Sequence, residues 1–345
     1  MMTPKELIVR TIRGEPAERV PLVPYISQFA AVDLGVNYTR CCREGRLLAD
    51  TLAHCRERYG YDAFYVSTDS CMESEPMGCT VQWFDNDVPT IAGHPWQDCE
   101  LADCHVPCPD PTRDGRMPMY QEVIGRLRER TDDQFGIFTG SDGPLTILSH
   151  LRGLNSLMVD LIEEPETCRR LLLEAAQVTI TFNLANLRAG ATVLHVGDPA
   201  AGLLGPKMFR SLLQPALERI VGALRAEGGI VLGHFCGNTS AILDDLVGIG
   251  FDVLNIDSQL GLESARGQAG RVCLMGDLNP VRVLMNGTPA VIEQAIIDRL
   301  TLLKDTRRFI LGSGCHFPAE TPAANVRAFV EAGRRHGEYG LTPAS

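Results

Sequence analysis

The stretch Ile230-Val231-Leu232-Gly233-His234-Phe235-Cys236-Gly237-Asn238-Thr239 decides how the rest of the chain is read. Its apolar start reads as a buried parallel strand. Residues i and i+2 of a strand point the same way, so His234 and Cys236 send an imidazole and a thiol to one face. Side by side at a strand end, they make half of a zinc site. A second apolar run, Phe309-Ile310-Leu311-Gly312-Ser313-Gly314-Cys315, also ends at a cysteine. His234, Cys236 and Cys315 then supply three protein ligands and leave a fourth position open. That is the arrangement of a catalytic zinc rather than a structural one.

Working outward, apolar strand runs alternate with helical patterns. Arg19 to Ile26 reads as a strand ending near Gln28, and Asp62 to Ser67 as a second ending at Asp69. Phe135–Gly140, Thr192–Val196, the run before His234, Asp252–Ile256, Val272–Met275 and Arg308–Leu311 complete eight. Between them lie helices such as Leu47–Tyr59, Tyr120–Thr131, Pro165–Leu187 and Phe209–Glu227, with Pro4–Thr11 in front and Pro322–His336 closing. Such alternation means parallel strands with right-handed crossovers. Eight units close as an α/β (β/α)8 TIM barrel, one domain over 1–345, with its site at the C-terminal strand ends. Gln28, Asp69, Asp142, Asp198, His234, Cys236, Asp257, Asp277 and Cys315 collect at those ends.

Residues 70–115 break the rhythm and read as an inserted loop or hairpin region after the second strand, with Thr80–Phe84 as a hairpin strand. Cys99, Cys104, His105 and Cys108 in it fit no standard zinc spacing and are expected to be loop residues. Cys168 and Cys273 fall in apolar patterns and are expected in the core.

Composition bounds the partners. The 345 residues are 45% hydrophobic and carry a net charge of −11. An acidic surface argues against nucleic acid or an anionic membrane. No run of eighteen apolar residues exists, so no membrane span is expected. The N-terminus lacks a signal peptide's apolar core, and a cytoplasmic protein is expected. Twelve cysteines in a long chain of that kind point to metal or chemistry more than to disulfides.

Arg19-Val20-Pro21, Gly143-Pro144-Leu145-Thr146, Gly197-Asp198-Pro199-Ala200, His234-x-Cys236-Gly237-Asn238-Thr239, Gly276-Asp277-Leu278-Asn279-Pro280 and Thr321-Pro322-x-x-Asn325 stand in family order. The chain resembles the uroporphyrinogen decarboxylase superfamily over nearly its whole length. Within it, His-x-Cys with a late Cys resembles the cobamide-dependent methyltransferase branch. That resemblance implies a (β/α)8 barrel whose zinc, on His234, Cys236 and Cys315, activates a thiol. It implies methyl transfer between a corrinoid, such as methylcobalamin, and a small thiol acceptor or O- or N-methyl donor. A free thiol has a pKa near ~8.5, so few are thiolate at neutral pH without a metal.

No Asp-x-His-x-x-Gly stretch occurs, so the corrinoid is expected on a separate corrinoid protein. The decarboxylase itself is the main alternative. It carries an Arg-Gln-Ala-Gly-Arg run after its first strand, where this chain has Ile26-Ser27-Gln28-Phe29-Ala30-Ala31. Asp69 matches the aspartate that the decarboxylase places after its second strand. A non-catalytic zinc-binding barrel is a further alternative.

Gln28, Asp69, Asp198, Asn238 and Asp257 are candidates for contacting substrate. Asp198 and Asp257 could equally support a metal ligand or cap the helices that follow their strands. His195 alternates with Val193 and is expected to be a core histidine. His316 is expected to point away from the metal.

Overall fold

A computed structural model describes residues 2–339 of the chain; Met1 and 340–345, which the single-domain reading includes, lie outside the described residues. Nine strands are β1 (Ala63–Val66), β2 (Thr80–Gln82), β3 (Thr90–Gly93), β4 (Gly136–Asp142), β5 (Val193–Gly197), β6 (Ile230–His234), β7 (Val253–Ile256), β8 (Cys273–Leu278) and β9 (Phe309–Ser313). Seven form one curled sheet in the order β1-β4-β5-β6-β7-β8-β9, with every neighbour parallel. Helices cross between consecutive strands, the longest being Pro165–Ala189. This is the expected barrel.

One expected strand is not regular. Arg19–Ile26 contributes only isolated bridges, Arg19 to Glu338 and Leu22 to Leu311. Pro21 and Pro24 fall in it, and a proline cannot donate to a ladder. The segment still fills the eighth place. Val23 N donates to Leu311 O and Leu311 N to Pro21 O on the β9 side, both at 2.9 Å. On the β1 side Asp62 N donates to Leu22 O at 2.9 Å, and Leu22 N donates to the Asp62 carboxylate at 2.8 Å. The prolines cost it the name of strand but not its position.

The sheet's period of two separates two cores. Ala63, Phe138, Val193, Leu232, Val253 and Ile310 point inward and fill the barrel. The alternate residues pack outward on the helices. Each fully buried aliphatic contributes roughly 1.5–3 kcal/mol, so the barrel is a packed core and not a channel.

Local signals place the helices. Thr3 caps Pro4–Arg13 by a capping box with Glu6, and the helix runs two residues past the expected end to Arg13, before Gly14, whose φ of 73° suits a C-cap. Cys168 and Cys273 are fully buried, in the core as expected.

The segment 70–115 carries the expected hairpin, β2 against β3. It lies along the helix Pro144–Arg152: Trp96 N donates to Leu151 O, and Arg152 donates to the carbonyls of Trp96 and Cys99. Its cysteines point to separate partners. Cys99 bonds Pro95 O, Cys104 bonds Glu100 O, and Cys108 meets Thr181.

Candidate metal centre and its cavity

β6 ends at His234, and its pleat carries on far enough to bring Cys236 back to the same face. His234 Nε2 and Cys236 Sγ lie 3.2 Å apart. The turn after Cys236 is pinned: Gly237 has φ 83°, and its N–H donates to Asp257 Oδ2 at 2.9 Å. Gly314 does the same service for the third residue. Its N–H donates to Leu278 O at 2.9 Å, and a Cβ there would sit 2.7 Å from the Ser258 nitrogen. Only a glycine passes so close, and Cys315 follows it into the mouth of the barrel.

One ligand atom from each of His234, Cys236 and Cys315 can be chosen so that all lie within 4.8 Å of one another. A tetrahedral zinc with Zn–S of about 2.3 Å and Zn–N of 2.0–2.1 Å wants its donors roughly 3.5–3.8 Å apart. The three are thus within a small side-chain adjustment of that geometry. His234 is buried and its Nδ1 has no partner among the described residues. Two sulfurs and an imidazole nitrogen are a donor set that suits zinc.

The two thiols do not ionise alike. The interaction with Cys236, opposed by burial and helped by His234, lowers Cys315 below the ordinary thiol range. The same interaction, with burial, pushes Cys236 far above its ordinary value. The two thiols titrate as one coupled pair.

The cluster opens on a cavity of about 290 Å³ at the C-terminal ends of the strands. Gln28, Asp69, Asp142, His195, His234, Cys236, Cys315 and His316 are in its wall. Gln28 donates to Asp87 Oδ1 of the inserted segment at 2.9 Å, and Val88 of that segment also reaches the wall. Asp69 takes a bidentate pair from Arg116, 2.9 Å on each oxygen, so its carboxylate is already bound.

Asp198, Asn238 and Asp257 are not in the wall. Asp198 is fully buried and caps the helix Pro144–Arg152, accepting from Leu145 N at 3.1 Å and Thr146 N at 2.8 Å. It caps the helix after the neighbouring strand, not after its own. Burial pushes it up to about 6 against those bonds. Asn238 accepts from Ser240 N in an exposed turn. Asp257 supports the Cys236 turn and caps its own, accepting from Gln259 N at 2.8 Å.

Two histidines were misread from sequence. His195 does alternate with Val193, but it is the upper inward position and faces the cavity. Its Nδ1 is 2.6 Å from the Tyr65 hydroxyl, and its Nε2 has no partner among the described residues. Burial, then His234 and His316, lowers it well below the ordinary range, so it is neutral. His316 does not turn away: it lines the same cavity, its ring 5.3 Å from Tyr65 and 5.8 Å from Tyr25. Sequence also missed Glu73, which is buried and accepts the Asp142 N–H at 2.9 Å. Nothing in a period-two pattern marks a loop glutamate that folds back under a strand end.

The family described as Uroporphyrinogen decarboxylase (URO-D) matches residues 3–336. The methylcobamide:CoM methyltransferase MtbA of Methanosarcina acetivorans is 26% identical over 342 residues, covering 97% of this chain and 98% of that one. The uroporphyrinogen decarboxylase of Anaeromyxobacter sp. (strain Fw109-5) is 23% identical, covering 93% and 95%. Among solved structures, a methyltransferase from Methanosarcina mazei superposes with a TM-score of 0.89 at 25% identity, over 97% of this chain and 99% of that one. Matched over nearly its full length in sequence and in fold, the chain belongs to the uroporphyrinogen decarboxylase (URO-D) family.

Proposed function

We propose that the protein is a corrinoid-linked methyltransferase in which His234, Cys236 and Cys315 hold a zinc ion beside a small-substrate cavity. It works as one barrel domain with residues 70–115 as an insertion. The observation that carries the reading is the convergence of those three ligand atoms within 4.8 Å at the mouth of a cavity. The methyltransferase relatives support it, since their names specify a methylcobamide as the methyl carrier.

A zinc ion on these ligands would deprotonate a substrate thiol and leave its sulfur nucleophilic, or polarise a methyl donor in the opposite direction. The chain's own residues set the stage. Asp257 fixes the Cys236 turn, Gly314 delivers Cys315, and His195 and Tyr65 form the floor on which the substrate rests. In the thiol direction the sulfur–carbon bond forms as the cobalt–carbon bond breaks. The bonding pair stays with cobalt, and the thiol proton leaves to solvent. The corrinoid is supplied by a partner protein or added free. Gln28, at the rim, is the proposed polar contact for the substrate.

The decarboxylase reading fares worse. A porphyrinogen with eight carboxylates needs cationic grips, and no lysine or arginine is in the cavity wall among the described residues. Asp69, the residue matched to the decarboxylase, is held by Arg116.

Methylcobalamin with a thiol panel, and reduced cobalamin with methyl ethers and methylamines, tests the proposal through the cobalamin spectrum. The zinc-loaded protein should outpace Cys315→Ala by a hundredfold or more in one direction. Equal rates in both directions, with candidate corrinoid proteins included, would sink it.

A further inference from the structure

Asp142 closes β4 and is only 7% exposed, yet it is in the cavity wall. Its Oδ2 is buried and accepts no hydrogen bond among the described residues. The nearest base is His150, whose Nδ1 stands 3.8 Å away, too far for a hydrogen bond. That nitrogen is already 2.9 Å from Ser74 Oγ. Burial holds His150 at about 4, so it brings no positive charge. Behind Asp142 lies Glu73, a second buried carboxyl that forms no salt bridge among the described residues. The guanidinium in this region, Arg116, is bound by Asp69 and Glu75.

Register sets where Asp142 stands relative to the metal ligands. Asp142 pairs with Gly197, and Gly197 pairs with His234. Two strand spacings put roughly 10 Å between the Asp142 and His234 backbones. Gly197 between them projects no side chain, which leaves room for a small molecule spanning the two. One end of such a molecule meets the ligand cluster. The other end meets the Asp142 carboxyl, which has no lysine or arginine beside it among the described residues.

We propose that Asp142 sets substrate choice, and that the substrate carries a positively charged nitrogen at the end away from its reacting sulfur or methyl group. The class is an aminothiol or its S-methyl thioether, not an anionic thiol. The inference rests on the methyl-transfer reading of the same site and names the substrate class within it. A buried carboxylate without a partner is costly, and an ammonium group removes that cost. A sulfonate or carboxylate in the same place would add a like charge in a water-poor site. Burial and the neighbouring carboxyl raise both Asp142 and Glu73, as expected of a pair that lacks a counter-charge.

Calorimetric binding to the zinc-loaded protein decides it with three thiols on one two-carbon spacer: 2-aminoethanethiol, 2-mercaptoethanol and 2-mercaptoethanesulfonate. The aminothiol should bind at least tenfold tighter than the neutral thiol, and the sulfonate should bind weakest. Any other order, or no binding by any of the three, overturns the inference. In Asp142→Asn the aminothiol preference over the neutral thiol should shrink at least fivefold, and an unchanged preference in a folded variant also overturns it. Should that variant fail to fold, the wild-type order decides alone. Methyl transfer with the same thiols, and from their S-methyl thioethers, is scored separately. The expected charge order without any transfer removes the methyltransferase reading and leaves the charge selectivity. Transfer that favours the sulfonate does the reverse.

Discussion

The Tyr65 hydroxyl lies 2.6 Å from Nδ1 of His195, directly beneath the cluster of His234, Cys236 and Cys315. Tyr65 is fully buried and burial keeps its proton on, so the hydroxyl has a hydrogen to give to a neutral imidazole. Gly140 makes the contact possible, because a Cβ there would stand 2.5 Å from Ser67 Oγ and 3.1 Å from the Tyr65 hydroxyl. Tyr65→Phe would leave Nδ1 buried and unpaired. A lost buried partner costs about 1–3 kcal/mol, and urea unfolding should show a loss of that size. A variant as stable as the wild type would mean the bond contributes nothing.

The metal reading makes a prediction independent of turnover. Protein purified without chelator should carry about one zinc per chain, and the zinc edge should report two sulfurs near ~2.3 Å and a nitrogen near 2.0–2.1 Å. Cys236→Ala removes a thiolate and should remove most of the metal. Failure of the wild type to take up zinc at all would end the proposal.

Much of this site was legible because its chemistry follows backbone period. His234 and Cys236 are two residues apart at a strand end, and Cys315 follows another strand, so their convergence could be read without coordinates. The barrel was legible for the same reason, apart from the proline-bearing segment 20–25, where turn chemistry overrides the ladder while tertiary bonds keep its place. What escaped depends on layer and side-chain reach. His195 and Val193 share a face, but only the register with Leu232 and Gly140 tells that His195 is high enough to meet the cavity. The pairing of Asp69 with Arg116 spans 47 residues across an irregular segment, and no local pattern announces it.

That pairing carries its own prediction. The Asp69 side chain is fully buried and bound by Arg116 through two oxygens, with further bonds from Thr68 Oγ1 and Cys71 N. Arg116→Ala would strand a carboxylate and also free Glu75. Breaking a buried pair from one side costs about 3–5 kcal/mol. Thermal unfolding should fall accordingly, and the double variant with Asp69→Asn should recover part of the loss. If Arg116→Ala alone were silent, Asp69 would be free for the substrate role first expected of it.

The carboxyl pair beneath the cavity should make stability depend on pH in an unusual direction. Burial, opposed by its bonds to the backbone, raises Glu73 to about 7 from its ordinary 4.5, and Asp142 is raised as well, by burial and then by Glu73. Between 4.5 and 7 the folded state holds a proton that the unfolded chain has released. The unfolded state then binds fewer protons, so this pair's contribution to stability falls as pH rises through that window. Most carboxylates in proteins act the other way, being lowered by a cation. Glu73→Gln removes one of the two titrating groups while keeping an oxygen to accept the Asp142 N–H. The difference in melting temperature between variant and wild type cancels the titration of the thiols and of Asp198. That difference should shift in favour of the variant between pH 5 and pH 8. A difference that stays constant would show that Glu73 is ionised in the folded protein throughout the range, and that a cation outside the described contacts compensates it.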